Sequence, residues 1–250
     1  MTVSVLPSGQ LLSFRYGDER IPFLRVQRHS ASNNSVLIKV QPDCKVIIAA
    51  PDSSSDDAVI AAAKKRQRWI YQKLTEFREQ QAHVIPRSYI SGESHFYLGR
   101  QYLLKVSVTD KQCAGVKLHR GKLEATVRKK AAAEVKEAMT RWYRERAKNV
   151  FQARLSAVME QALWVERAPP LQIRAMKTQW GSCSPSGRIL LNLHLVKAPR
   201  ECIDYVILHE LCHLAEHNHS QRFYRLMKRV MPKWETTKYR LDDLAAKLLN

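Results

Sequence analysis

Residues 206–224 read VILHELCHLAEHNHSQRFY, and they crowd His209, Glu210, His213, Glu216, His217 and His219 into one short segment. The run from His209 to His213 fits the pattern H-E-x-x-H. A helix advances about 100° per residue, so positions four apart share a face and two imidazoles there can grip one Zn²⁺. Zinc lowers the pKa of a coordinated water towards ~7. Glu210, next to the ligands, is placed to take that water's proton and deliver it to a leaving group. The surrounding stretch carries Ile203, Val206, Ile207, Leu208, Leu211 and Leu214. A helix that is apolar nearly all round is predicted to be buried. A glutamate and two histidines inside it would be costly unless something binds them, and metal coordination supplies the reason.

A catalytic zinc usually takes three protein ligands and keeps one open position. His219 lies ten residues past His209, the spacing of H-E-x-x-H-x-x-G-x-x-H proteins, and ranks first as the third ligand. Those proteins turn the chain with glycine. Glu216 stands at that place here, so the turn is expected to be made differently, with Asn218 in a left-handed conformation swinging His219 back. Glu235, on a later helix, ranks second and His217 third. A continuing helix would carry His217 away from the first pair. Glu216 reads as a carboxylate near the site or on the surface. Cys183 and Cys212 read as small buried residues, with Cys212 off the histidine face.

Outward from the motif, Pro199 is expected to open its helix. Upstream, 171–199 reads as two strands around a turn at Ser184–Gly187. Asn192 and His194 alternate with Leu191, Leu193 and Leu195, so they should point away from the leucine side of that strand. Trp180 and Gly181 end a strand before the motif helix. They read either as core and a bulge or as an edge strand able to pair with an extended peptide. The segment from Lys129 to Gln161 holds no Gly or Pro and predicts a long helix. Short strands are expected over 94–128 and through the first fifty residues, with one helix from about Asp56 to Gln81 after the PDSSSDD start signal. Lys64, Lys65, Arg66 and Arg68 read as a solvated face of that helix. The fold class is α+β. The expected division is an N-terminal α+β region, 1–128, and a catalytic region, 129–250, with no internal repeat and no low-complexity linker between them.

The 250-residue chain carries 42 Lys+Arg against 23 Asp+Glu, a net charge of +19. Such a basic chain has affinity for polyanions that weakens with salt, so nucleic acid is a candidate partner through a basic surface. The N-terminus lacks the pattern of a signal peptide, and no apolar run approaches the ~18 residues of a membrane span. Five scattered cysteines, Cys44, Cys113, Cys183, Cys202 and Cys212, form no CxxC pair and fit free thiols in a reducing cytoplasm.

Several stretches together resemble the YgjP-like family of predicted zinc metallopeptidases, itself similar to SprT-like and other zincin proteases. They are W-G-S-C at Trp180–Cys183, L-N-x-x-L at Leu191–Leu195, D-Y-V-I-x-H-E-L-C-H-L at Asp204–Leu214, N-H-S-x-x-F at Asn218–Phe223, and the earlier YLGRQYLLKV. Tyr224 stands where the motif often has Trp. The resemblance implies a zincin-like fold with the H-E-x-x-H helix packed on a small sheet. It also implies His209, His213 and His219 as Zn²⁺ ligands, Glu210 as catalytic base, and a peptide or protein as substrate. Two other functions remain in view: a metal-dependent phosphoester or nucleotide pyrophosphate hydrolase, and a nucleic-acid-associated protease or binding protein.

Overall fold

The computed structural model describes residues 9–28, 36–41, 43–82, 87–109 and 115–249, so Cys113 lies outside the described residues. The chain is α+β and divides into two compact units, Met1–Val84 and Ile85–Asn250. This division comes earlier than the expected boundary after residue 128. The strands over 94–127 share a core with the following long helix, so they belong to the second unit.

In the first unit, strands β1 (Gln10–Tyr16), β2 (Glu19–Gln27), β3 (Leu37–Val40) and β4 (Val46–Ala50) form a sheet of order β1-β2-β4-β3. The hairpin pairs are antiparallel, and the inner strands β2 and β4 run parallel. Period-two alternation sends Phe14, Ile21, Phe23, Val46, Ile48 and Ala50 to one face. There they meet Val59, Ala63, Ile70 and Leu74 from helices α1 (Asp56–Lys65) and α2 (Gln67–Ala82). Ser55 caps α1 by accepting the Ala58 N–H at 3.2 Å, with Asp56 and Asp57 in the first turn. The single helix expected here is broken at Arg66, whose N–H turns back to the Ala63 carbonyl at 3.0 Å.

The second unit begins with the same layout. Strands β5 (Ser94–Tyr97), β6 (Arg100–Val108), β7 (Gly115–His119) and β8 (Lys122–Val127) take the order β5-β6-β8-β7, again with antiparallel hairpins and parallel inner strands. The registers match. Phe23 pairs with Val46 as Leu104 pairs with Leu123, and all four are buried. The chain therefore contains a structural repeat that the sequence does not announce. The copies share a burial pattern rather than residues.

Helix α3 (Ala132–Met159) covers the second sheet through Val135, Ala138, Met139 and Trp142. A three-stranded sheet follows: β9 (Leu171–Arg174), β10 (Gly181–Cys183) and β11 (Ile189–Asn192), in the order β10-β11-β9. The expected hairpin around 184–187 is β10–β11, and β9 adds a parallel strand. The chain closes with α4 (Arg200–Ala215), α5 (Gln221–Val230) and α6 (Trp234–Leu249). Among the described residues no helix is long and apolar enough to cross a membrane, and Cys44, Cys183, Cys202 and Cys212 are free thiols.

Candidate metal centre

Helix α4 carries His209, Glu210 and His213, and Pro199 is its cap residue. Its sequence holds no glycine, and buried Cys202, Ile203, Val206, Ile207, Leu208, Leu211 and Cys212 leave little of its circumference to water. Arg154 of α3 fixes it laterally: Nε and Nη2 donate to the two carboxylate oxygens of Asp204 at 2.6 and 2.7 Å. Trp164 Nε1 donates to the Leu211 carbonyl at 2.9 Å, between His209 and His213. Two neighbouring anchors thus set the rotation of the helix about its axis.

The helix stops at Ala215. Glu216 leaves it in an extended conformation, φ −136° and ψ 98°, while its N–H still reaches the Cys212 carbonyl at 2.9 Å. The turn needs no left-handed residue. Asn218 does not have positive φ, contrary to the expectation that it would supply the swing. Ser220 then starts α5 by accepting the Phe223 N–H at 3.3 Å. The reversal brings His219 over α4, and one nitrogen from each of His209, His213 and His219 lies within 4.8 Å of the others. The Nε2 atoms of His209 and His219 face each other at 3.0 Å. His213 Nδ1–H donates to the Glu216 carbonyl at 3.1 Å, which turns Nε2 towards the cluster. Phe223, fully buried, lies under all three rings at centroid distances of 4.9, 4.6 and 4.7 Å.

Burial pushes the His209 imidazole down to about 3, helped by repulsion from the other two histidines and Lys238, and it lowers His219 as well. Neutral imidazole is the form that binds metal. Glu210 is 5% exposed, and burial raises its carboxyl to about 8; a cation among the imidazoles would favour the ionised form. Its carboxylate lies against β10. A Cβ built on Gly181 would stand 2.6 Å from Glu210 Oε1. Gly181 pairs regularly with Leu191, so it is not a bulge; the absent side chain makes room for the glutamate.

The remaining candidates fall elsewhere. His217 and Glu235 are exposed and outside the cluster. The Glu216 carboxylate faces Ser220 Oγ at 3.5 Å and Arg222 at 3.7 Å. Cys212 is buried with its thiol pushed up to about 12, and burial raises Cys183 too; neither joins the histidines. The alternation read into Asn192 and His194 fails because the strand ends at Asn192 and 193–197 forms a 3-10 turn. Asn192 is fully buried. Its Nδ2 donates to the Met176 and Gln179 carbonyls at 2.8 and 2.9 Å, and its Oδ1 accepts the Met176 and His194 N–H groups at 3.2 and 3.1 Å. It moulds the loop that delivers Trp180 and Gly181 to the site.

Beside His209 and Glu210 lies a cavity of about 190 Å³ bordered by Trp180, Gly181, Tyr205, Lys238, Leu241 and Asp242. Sequence reasoning missed its α6 wall, since nothing local marks residues thirty positions beyond the motif as its neighbours. Trp180 and Tyr205 are the aromatic residues of its lining, and behind them Tyr205 stacks on Trp234 at 6.4 Å with the planes 7° apart, and Trp234 on Tyr224 at 5.6 Å.

A family model described as "YgjP-like, metallopeptidase domain" matches residues 34–244. No curated protein matches the chain. Among solved structures, the metallopeptidase zymogen abylysin of Pyrococcus abyssi is similar at 24% identity and a TM-score of 0.34, over 36% of this chain and 90% of that one. The metallopeptidase zymogen jannalysin of Methanocaldococcus jannaschii is similar at 21% identity and a TM-score of 0.31, over 38% and 92%.

Proposed function

The chain belongs to the YgjP-like metallopeptidase family, and from that premise we propose that it is a zinc-dependent peptidase acting in the cytoplasm, with His209, His213 and His219 as ligands and Glu210 as general base. The supporting observation is the convergence of three imidazole nitrogens within 4.8 Å, two of them on a buried helix. The donor set fits zinc: three imidazoles, one with its ring oriented by a backbone carbonyl, set over the buried Phe223. Bound there, zinc supplies Lewis acidity towards water and a peptide carbonyl oxygen.

The chain's own groups do the rest. Glu210 Oε1, held against Gly181, accepts a proton from the attacking water and returns it to the leaving amine. Strand β10 is an edge of its sheet, so an extended peptide can add beside it through backbone hydrogen bonds. The adjoining aromatic cavity then takes a substrate side chain.

Glu210→Gln separates the roles. It should retain zinc and lose casein or peptide-library cleavage by about 10²–10⁴-fold, the usual contribution of a general base. Wild-type turnover in Glu210→Gln would overturn the assignment of the base. Release of pyrophosphate from nucleotides in place of peptide cleavage would overturn the substrate class.

A further inference from the structure

The other end of α4 carries a second polar concavity. A cleft of about 470 Å³ opens where the turn between β5 and β6 meets the start of the helix. Three guanidinium groups line it from three elements: Arg100 from β6, Arg200 from α4 and Arg240 from α6. The cleft holds one carboxylate, Glu201, and that group pairs with Arg240. Among the described residues Arg100 and Arg200 make no ion pair. Tyr102 completes the polar lining.

The convergence is built into the backbone. Leu98 and Gly99 form a two-residue turn with φ of 48° and 79°, and their N–H groups donate to the Val196 and Lys197 carbonyls at 3.0 and 2.9 Å. Gly99 sits so close to Pro199 that a Cβ there would stand 2.9 Å from the proline ring. Arg100 and Arg200 are the residues that immediately follow these two contact partners. The close approach of Gly99 to Pro199 therefore makes the backbones at Arg100 and Arg200 near neighbours, and both residues are exposed beside the cleft. An anion seated between them would gain two cationic partners. Planar guanidinium groups match phosphate oxygens in paired hydrogen bonds. The N-terminal end of α4 adds its partial positive charge in the same direction.

We propose that this cleft binds a phosphoanion, held chiefly by Arg100 and Arg200 with Arg240 at the side. The site is separate from the metal centre, since Arg200 and His209 lie about 14 Å apart along the helix at 1.5 Å per residue. The phosphate belongs either to a small phosphorylated molecule or to a nucleic-acid backbone, and the binding chemistry is common to both.

Calorimetric titration with inorganic pyrophosphate tests it on the full-length protein, on the double variant Arg100→Gln/Arg200→Gln, and on His213→Ala. Loss of two charge-assisted contacts should weaken binding in the double variant by about tenfold or more. Its thermal unfolding midpoint should match the wild type, and His213→Ala should bind as the wild type does. A wild-type chain that ignores millimolar pyrophosphate overturns the proposal. So does a double variant with unchanged affinity, loss of binding in His213→Ala, or glutarate binding as tightly as pyrophosphate. Displacement of pyrophosphate from the wild type by a short single-stranded oligonucleotide assigns the phosphate to nucleic acid; failure of that displacement assigns it to a small molecule.

Discussion

The two four-stranded sheets have one topology and matched registers, yet only one of them belongs to the unit that carries the candidate metal centre. The difference lies in what each hairpin turn meets. Gly17 turns the β1–β2 hairpin with a φ of 58°, and a Cβ there would touch nothing within 4 Å. The β5–β6 turn instead bonds to the Val196 and Lys197 carbonyls and packs on Pro199, the cap residue of the motif helix. The helices differ as well. The first copy has two helices broken at Arg66, whereas the second has α3 unbroken over 28 residues, long enough to clamp Asp204 through Arg154. One framework serves two ends: a sheet covered by its own two helices, and a platform that positions a neighbouring helix.

Matched substitutions sharpen that contrast. Phe23 and Leu104 occupy equivalent buried positions, and each truncation to Ala should cost about 2–5 kcal/mol in denaturant unfolding. Leu104→Ala should also impair zinc retention, while Phe23→Ala should keep it; equal zinc loss in both would break the assignment of the site to the second unit. The turns come next. Gly99→Ala combines a left-handed backbone with a clash against Pro199 and should destabilise by about 2–4 kcal/mol, against about 1 kcal/mol for Gly17→Ala. Equal effects would remove the distinction between a docked turn and a free one.

A smaller effect depends on pH. His95 is buried in β5, where the first copy has Phe14 at the same distance from its turn. Among the described residues its Nε2 has no hydrogen-bond partner, and burial, aided by the Arg87 charge, lowers its pKa to about 4 despite nearby Glu93. Because the folded pKa lies below the unfolded one of 6.5, its contribution is complete above pH 6.5 and is lost as pH falls through 4. His95→Phe, which copies the first unit, should flatten that part of the stability profile by about 3 kcal/mol in acid denaturation. An unchanged profile would mean that the imidazole takes up its proton at the same pH in the folded and unfolded states.

What the sequence made legible follows from range. His209, Glu210, His213 and His219 are close in the chain, so spacing and residue type alone brought them forward, and the all-round apolar run predicted the burial of α4. The repeat was hidden because its copies share alternation and register, as Phe23 with Val46 and Leu104 with Leu123, and not residue identity. The break at Arg66 has no Gly or Pro to signal it. Asn192 was misread because alternation assumes that a strand continues, and this one ends there in a cap that accepts the His194 N–H. The α6 wall beside His209, with Lys238 and Asp242, depends on long-range packing that local pattern does not encode.

X-ray absorption on zinc-loaded protein tests the metal assignment most directly. Wild type should show three imidazole nitrogens around one zinc, and His219→Ala should show two with weakened affinity. An identical coordination shell in His219→Ala, with undiminished affinity, would contradict the assignment of the third ligand and the turn at Glu216 that delivers it.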